Sequence, residues 1–190
     1  MSTRILILYF SRNGSTQQLA DAIAEGVSST GAEAIMRSVS ASGDAASERD
    51  LAVSLSDLEQ CDGLIMGSPT RFGHMASALQ QFWETSSSSW LRGVLVDKPA
   101  AVFTSSSSMH GGQETTLLSM MVPLLHHGML LVGIPYTVPA IQTTDAGGTP
   151  YGASHVEHAA GKHLSADERS AAIALGARVG QLASSLKSRS

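Results

Sequence analysis

An apolar segment runs directly into a polar loop in the stretch Ile5-Leu-Ile-Leu-Tyr-Phe-Ser-Arg-Asn-Gly-Ser-Thr16. Residues Ile5 to Phe10 are apolar without alternation, which is typical of a strand in a parallel sheet covered on both faces. The loop that follows, Ser11 to Thr16, supplies hydroxyls, an amide and a glycine. An apolar row at helical spacing begins directly after it. This order predicts a buried strand, a tight loop and a helix that begins at the loop.

The loop has the residue types of a phosphate-binding site. A helix start offers unpaired backbone N–H groups and about half a positive charge, and both favour a phosphate group. The sequence contains neither the Lys of a GxxxxGK loop nor the GxGxxG pattern of a dinucleotide-binding fold. We therefore interpret the loop as a monophosphate site made of neutral donors, with Arg12 as an additional contact. The phosphate of flavin mononucleotide (FMN) is the first hypothesis.

Composition limits the class of protein. The 190 residues (19.8 kDa), 43% hydrophobic and 15% charged, suit one domain that spans residues 1–190. A net charge of −4 and a pI near 5.9 argue against a nucleic-acid-binding protein, which usually has a basic face. Cys61 is the single cysteine, so a reducing, cytoplasmic location without an internal disulfide is expected. The early strand predicts no signal peptide, and no apolar run reaches the roughly 20 residues of a membrane span.

The rest of the chain alternates between strand and helix patterns. Five strands are predicted, at residues 5–10, 32–39, 63–66, 98–104 and 129–134. Helices are predicted at residues 17–29, 76–85 and 114–127, and at the capping-box patterns Ser56–Glu59 and Ser165–Glu168. In the last helix an apolar stripe is formed by Ala172, Leu175, Val179, Leu182 and Leu186. Segments 40–54 and 135–162 are predicted as loops, and the second is long enough to carry function or form an interface.

This alternation predicts an α/β fold: a doubly wound, five-stranded parallel sheet with helices on both faces. The flavodoxin-like strand order 2-1-3-4-5 is a common form of such sheets, with a flavin at the switch between strands one and three. The loops after strands one, three and four then leave the same edge of the sheet. We therefore expect the polar segments that begin at Ser11, Gly67 and Ser105 to form one cleft.

Five motifs together resemble the WrbA family of flavin-dependent NAD(P)H:quinone oxidoreductases, within the flavodoxin-like superfamily. In chain order they are Ser11-Arg-Asn-Gly-Ser-Thr16, Gly67-Ser-Pro-Thr-Arg-Phe-Gly73, Gly111-Gly-Gln-Glu114, His126-His-Gly128 and Gly147-Gly-Thr-Pro-Tyr-Gly152. The resemblance implies a non-covalently bound FMN, hydride transfer to it from NADH or NADPH, and two-electron reduction of a quinone. It also implies a homo-oligomer, typically a tetramer, in which neighbouring subunits complete the sites.

The resemblance assigns roles to individual residues as well. Positions that match FMN contacts or lie in their motifs are Ser11, Arg12, Asn13, Gly14, Ser15, Thr16, Pro69, Thr70, Arg71, Phe72, Gly73, Ser105, Ser106, Ser107, Gly111, Gly112 and His127. Asn13 also matches a nicotinamide-nucleotide contact, and Trp90 matches a contact of the quinone substrate. Four features depart from the family pattern. The loop at residues 40–54 is shorter than in the family, and Asn13 replaces a frequent aromatic residue. Segment 105–110 is one residue longer, and Val156-Glu-His-Ala-Ala160 replaces a glycine-rich turn.

In a flavin enzyme the protein orients the reactants and stabilises charge, while the ring carries the redox chemistry. Negative charge develops on the ring when it accepts a hydride. The backbone amides near Gly111 and Gly112, or the guanidinium of Arg71, are the candidates to stabilise that charge. No residue is assigned as catalytic acid or base, because a quinone can take its protons from solvent. An open cleft that serves two substrates in turn predicts ping-pong kinetics.

Some of these residues also fit structural roles. Arg71 fits an exposed salt bridge, and Phe72 fits a core position. Trp90 fits a subunit interface, and His127 fits a helix cap.

The sequence also has features to compare with three other functions and with a metal site. The alternatives are a flavodoxin-like electron carrier, an FMN-binding interaction protein without turnover, and an azo- or free-flavin reductase of the same fold. An electron carrier usually has a strongly acidic surface, which a net charge of −4 fits poorly. His155, His158 and His163 are spaced loosely like metal ligands, but solvated histidines are far commoner in a polar loop, so no metal is expected.

Overall fold

The computed structural model describes residues 2–40, 49–157 and 163–188. Its strands are β1 (Arg4–Tyr9), β2 (Glu33–Ser38), β3 (Gly63–Pro69), β4 (Pro99–Ser106), β5 (Leu130–Leu131) and β6 (Ala153–Val156). They form one parallel sheet in the order β2-β1-β3-β4-β5, in which β6 also pairs with β4. The predicted parallel sheet and its strand order 2-1-3-4-5 are confirmed.

Helices cover both faces of this sheet. They are α1 (Ser15–Ser29), α2 (Leu55–Gln60), α3 (Ser77–Glu84), α4 (Ser87–Leu91), α5 (Gln113–His126), α6 (Ala140–Thr143) and α7 (Ala166–Lys187). One core lies between the sheet and α1, α6 and α7, and the other lies under α2, α3 and α5. Helices α1 and α7 touch at two glycines: a Cβ on Gly26 would lie 2.0 Å from the Ile173 carbonyl oxygen, and one on Gly176 would lie 2.1 Å from that of Ile23. Only glycine permits this close approach.

At the edge of the sheet beyond β4, the structure differs from the predicted fifth strand at residues 129–134. β5 pairs only with Pro99 and Ala100, whereas β6 pairs with Phe103 to Ser106 at the other end of β4. Two short strands therefore share one edge position. The β6 sequence, Ala-Ser-His-Val, has no apolar pattern, and the sequence alone therefore predicts a loop there. Pairing with the buried strand β4 supplies the stability that the local sequence lacks.

Two smaller predictions were also wrong. The capping box of α2 is formed by Ser54 and Asp57, two residues before the predicted pair, although the one at Ser165 and Glu168 is confirmed. In α7, Leu182 is exposed and the neighbouring Ala183 is buried instead. Part of the predicted loop 40–54 lies outside the described residues, and so does His158.

Cys61 is buried, and burial raises the pKa of its thiol to about 11. Among the helices that the structure describes, none is long and apolar enough to cross a membrane.

Candidate functional site

The loops after β1, β3 and β4 meet at one edge of the sheet, as predicted. Hydrogen bonds join the strand ends: the Phe10 N–H donates to the Gly67 carbonyl at 3.0 Å, and the Thr70 N–H donates to the Ser105 carbonyl at 2.8 Å. The buried hydroxyls of Thr16 and Ser105 are 2.8 Å apart, which ties the start of α1 to β4. The phosphate loop (Ser11 to Thr16) is therefore held against the loops after β3 and β4.

The geometry of the phosphate loop leaves N–H groups open at the start of α1. The Ser11 hydroxyl accepts hydrogen bonds from the N–H groups of Gly14 and Gln17, at 3.2 and 3.4 Å. The N–H groups of Ser15 and Thr16 lie in the first turn, where no intrahelical acceptor exists. Gly14 has a φ of 94° and nothing within 4 Å of the position that a Cβ would take. The backbone at Gly14 therefore faces open space in a conformation that favours glycine.

A cavity of about 160 Å³ lies in front of this loop. It is lined by Ser11, Arg12, Asn13, Ser15, Thr16, Pro69, Thr70, Arg71, Ser105, Ser106, Ser107 and Glu157. All of these except Glu157 are site residues expected from the sequence. The one indication of Glu157 in the sequence is the departure from a glycine-rich turn at residues 156–160.

The turn after β3 carries an exposed aromatic ring. Arg71 and His74 exchange backbone hydrogen bonds of 2.8 and 3.1 Å, so Phe72 and Gly73 form a two-residue hairpin turn. Both have positive φ, 53° and 80°, a combination typical of type I′ turns and strained for a phenylalanine. The Phe72 side chain is fully exposed, so the alternative that it belongs to the core is wrong.

Arg71 is also exposed, and its guanidinium donates to the Thr70 carbonyl at 3.0 Å. Among the described residues no carboxylate forms a salt bridge with it. The alternative of an exposed ion pair therefore finds no partner in this part of the chain. Arg71 lines the cavity, and its guanidinium has further N–H donors besides the one bonded to Thr70.

The loop after β4 is held by its own polar groups. Ser105 and Ser106 belong to β4 rather than to the loop. The Gly111 N–H donates to the Ser108 carbonyl at 3.2 Å, so this amide is not free for a ligand. Gly112 is the N-cap of α5, and its N–H is the remaining amide of the pair. Gln113, which sequence reasoning did not single out, is buried and donates to the Ser108 carbonyl at 2.7 Å.

Trp90 and His127 lie together in a second cavity of about 460 Å³ that shares no lining residue with the first. The Trp90 indole N–H donates to the His126 carbonyl at 2.8 Å, which fixes α4 to the end of α5. Trp90 is 49% exposed, so one side of its ring is available. The buried His127 lies 3.0 Å from the Ser86 hydroxyl, and burial, followed by the neighbouring His126, lowers its pKa. His127 is therefore neutral near pH 7.

A third cavity, of about 680 Å³, lies between these two. Arg12 and Arg71 line both this cavity and the phosphate-loop cavity. Gln80 and Ser119 line both this cavity and the one at Trp90. The three cavities therefore adjoin in one trough that runs from the phosphate loop to Trp90 and His127.

The histidines considered as metal ligands do not form a metal site in the described residues. His155 is fully buried, and its Nδ1 lies 2.9 Å from the buried carboxylate of Glu168. That carboxylate also accepts from the N–H groups of Gly147, Val156 and Ser165. Burial alone would raise the pKa of Glu168, but these hydrogen bonds outweigh burial and lower it. The Glu168 carboxylate and its donors anchor β6 to the start of α7.

Comparisons with known proteins identify the family. The family model of NADPH-dependent FMN reductases matches residues 3–142. The chain belongs to this family. It is 40% identical over 196 residues to an NAD(P)H dehydrogenase (quinone) of Gluconacetobacter diazotrophicus, covering 97% of this chain and 98% of that one. It is 41% identical over 167 residues to the protein of that name from Chromohalobacter salexigens, covering 81% and 83%.

Solved structures agree on the fold of this FMN reductase family member. A WrbA-like flavodoxin from Agrobacterium tumefaciens superimposes with a TM-score of 0.74 at 24% identity, covering 97% of this chain and 99% of that one. An archaeal flavodoxin superimposes with a TM-score of 0.66 at 16% identity, covering 96% of this chain and 99% of that one. These structures confirm the flavodoxin-like fold, and the family match and the two relatives confirm the resemblance to flavin-dependent NAD(P)H:quinone oxidoreductases.

Proposed function

We propose that this protein is an FMN-dependent NAD(P)H:quinone oxidoreductase with ping-pong kinetics. The observation that carries the proposal is the trough itself, which joins a phosphate-sized cavity at a helix start to a wide cleft with an exposed indole. The names of the two relatives, both above 30% identity over most of the chain, support the reaction. The family assignment supports an enzyme and supports FMN as its cofactor.

The donors around the first cavity fit the phosphate and ribityl chain of FMN. The open N–H groups of Ser15 and Thr16 and the hydroxyl of Ser15 suit a phosphate, and Arg12 adds a positive charge at the same cavity. Thr70 and the serines of the β4 end suit ribityl hydroxyls. We assign the phosphate to Ser11 to Thr16, and the ring to the space bounded by Thr70, Arg71 and Phe72 and by Ser105 to Gly112.

When bound, FMN would accept a hydride from NAD(P)H and pass two electrons to a quinone. The chain's part is to orient the reactants and stabilise charge. We assign the stabilisation of negative charge on the ring to the Arg71 guanidinium and the Gly112 amide, since the Gly111 amide already has an acceptor. The trough is open to solvent, so protons can reach the quinone without a dedicated acid.

Trp90 is assigned to the quinone end of the trough. His127, which the resemblance gives as an FMN contact, lines the same cavity as Trp90 and not the phosphate-loop cavity, so we assign it to this end as well. The half-exposed indole is a stacking surface, which contributes about 1 kcal/mol beyond burial for an aromatic ring. Neutral His127 orients through hydrogen bonding rather than through charge, because its pKa is lowered. Asn13, at the exposed side of the phosphate loop, is assigned to the nicotinamide nucleotide.

We further propose a homotetramer located in the cytoplasm. An exposed apolar stripe on α5, made of Leu118, Val122 and Leu125, supports a subunit interface near Trp90, which itself borders Val122 in the second cavity. A single buried thiol supports a reducing compartment.

Steady-state kinetics test this function. The purified protein is supplied with FMN, and NAD(P)H oxidation is followed at several concentrations of a small benzoquinone. We expect quinone-dependent oxidation that requires FMN, with parallel double-reciprocal plots. FMN binding without quinone-dependent NAD(P)H oxidation contradicts the enzyme and favours an electron carrier or an interaction protein. Intersecting plots contradict ping-pong kinetics alone.

A further inference from the structure

Glu157 places a carboxylate in the cavity that the proposed function assigns to a phosphate. Its side chain is partly buried and lines this cavity together with Ser11, Arg12 and Ser15. The Ser15 hydroxyl donates to Glu157 Oε2 at 3.3 Å. Ser15 is the first residue of α1, so the carboxylate lies at the positive end of the helix dipole.

The backbone before Glu157 is fixed. Val156 pairs with Ser106 in the sheet, and its N–H donates to Glu168 Oε1 at 2.9 Å. His155 contacts the other oxygen of the same buried carboxylate, also at 2.9 Å. The start of residue 157 is therefore held beside the cavity by β6.

The Glu157 carboxylate and a flavin phosphate would compete for the same groups in this cavity. A phosphate monoester carries a charge of about −1.5 to −2 near pH 7. It would use the helix-start N–H groups and the hydroxyl of Ser15, which already donates to Glu157. The phosphate loop offers Arg12 as its only cation and has no lysine. Arg71 also lines this cavity. The Glu157 carboxylate therefore places a negative charge beside these two cations, where it repels a phosphate and offsets part of their attraction.

We propose that Glu157 is an intramolecular competitor of the flavin phosphate. It weakens the binding of FMN and lowers the preference for FMN over flavins without a phosphate. The proposal rests on the placement of the flavin phosphate at Ser11 to Thr16. The opposite role would be a carboxylate that accepts a hydrogen bond from a ribityl hydroxyl, and such a contact would strengthen FMN and riboflavin alike.

The test is the substitution Glu157→Gln, which keeps the size and hydrogen-bonding capacity of the side chain and removes its charge. Dissociation constants of FMN and riboflavin are measured by calorimetry for wild type and variant at 0.1 M salt. We expect the Kd of FMN to fall about five- to tenfold, as expected for removal of one like charge at a partly solvated site. The Kd of riboflavin should stay within about twofold of wild type, since riboflavin has no phosphate.

Glu25→Gln is the matched control. It makes the same change in net charge at a residue of α1 that lies about 15 Å along the helix from Ser15, the contact of Glu157. This distance exceeds the Debye length of about 10 Å at this salt concentration. Glu25 pairs with Arg169 at the surface, so its loss should leave both flavin constants unchanged. A second variant, Glu157→Ala, should tighten FMN in the same way, and thermal melts confirm that each variant is folded.

The outcomes separate this proposal from the proposed function. An unchanged ratio of FMN to riboflavin affinity in Glu157→Gln, or weaker binding of both flavins, overturns the role of Glu157 even if the wild type reduces quinones. Tighter binding of FMN in the Glu157 variants supports the role of Glu157, even if the protein does not reduce quinones. If neither wild type nor variants bind FMN, both proposals are overturned.

Discussion

Two polar regions border the phosphate loop, and they use their hydrogen-bonding groups differently. The buried anchor consists of His155, Glu168 and the backbone N–H groups of Gly147, Val156 and Ser165, and the Glu168 carboxylate accepts from all of them. The cleft rim consists of Arg12, Asn13, Arg71, Phe72 and Ser107, all of which are exposed. The polar groups of the anchor are therefore paired within the fold, whereas those of the rim are accessible to a ligand.

The rim also includes a strained residue, which the anchor does not. Phe72 combines full exposure with a positive φ, and either feature alone is unfavourable for a large apolar side chain. Strain of this kind persists where a functional contact compensates for it. Substitutions in the anchor should consequently change stability, and substitutions at the rim should change binding.

The largest effect is expected from Glu168→Gln in the anchor. An amide cannot accept from all four donors, so buried groups lose their partner, and the free energy of unfolding should fall by about 3 kcal/mol. Urea denaturation measures the loss. Asp167→Asn, at a partly buried position in the same helix turn, keeps an acceptor for the Thr143 hydroxyl and should cost less than about 1 kcal/mol. Similar losses in the two variants would remove the distinction between anchor and surface.

Ser11→Asp tests the phosphate loop, with an expected loss of FMN affinity of about thirtyfold, or about 2 kcal/mol, through charge repulsion. Aspartate is a good helix cap and can accept from the Gly14 and Gln17 N–H groups as Ser11 does, so stability should be retained. Ser11→Asn keeps the cap without the charge and should bind FMN nearly as wild type does. Calorimetric titration gives both constants. Equal FMN affinity in Ser11→Asp and wild type would contradict the placement of the phosphate.

Phe72→Asn tests the strain at the rim. Asparagine adopts positive φ more readily, so the variant should be more stable by about 0.5–1 kcal/mol and should bind FMN more weakly. Denaturation and titration of the same sample measure both changes. Gly73→Ala is the control, because its φ of 80° and a Cβ only 2.9 Å from the Thr115 hydroxyl make alanine unfavourable there. A less stable Phe72→Asn would show that the exposed ring supports the fold.

The smallest effect concerns pH. The lowered pKa of His127 means that the unfolded chain binds more protons below about pH 6.5, so stability falls as the pH drops through that value. The lowered pKa of Glu168 adds stability that is present above about pH 4.5 and is lost in stronger acid. Denaturation at pH 7.5 and 5.5 should show a smaller difference in His127→Asn than in wild type. An equal difference would rule out His127 as the titrating group.

Much of the fold was predictable because its pattern is local. Unbroken apolar runs at β1 and β4 indicate buried parallel strands, and the carboxyl ends of such strands gather the loops at Ser11, Thr70 and Ser105 by topology alone. The phosphate-loop cavity followed from these positions. Even so, a local pattern was ambiguous at α2, where two overlapping capping boxes fit the sequence and the structure uses the earlier one.

Features that depend on distant pairing were not predictable. β6 has four residues without an apolar pattern and exists through its pairing with β4. The anchor at Glu168 joins a residue of the last helix to this strand, and Glu157 reaches the cavity only because β6 is there. The separation of Trp90 and His127 from the phosphate loop likewise depends on how α4 and α5 pack.

The central claim, that the trough holds FMN and passes electrons from NAD(P)H to a quinone, is tested most directly by two anaerobic half-reactions. The FMN-loaded protein is mixed with NAD(P)H, and then with a small benzoquinone, while the flavin absorbance is recorded. The account predicts that the yellow colour bleaches on the first addition and returns fully on the second. A flavin that NAD(P)H does not bleach, or that the quinone does not recolour, would contradict it.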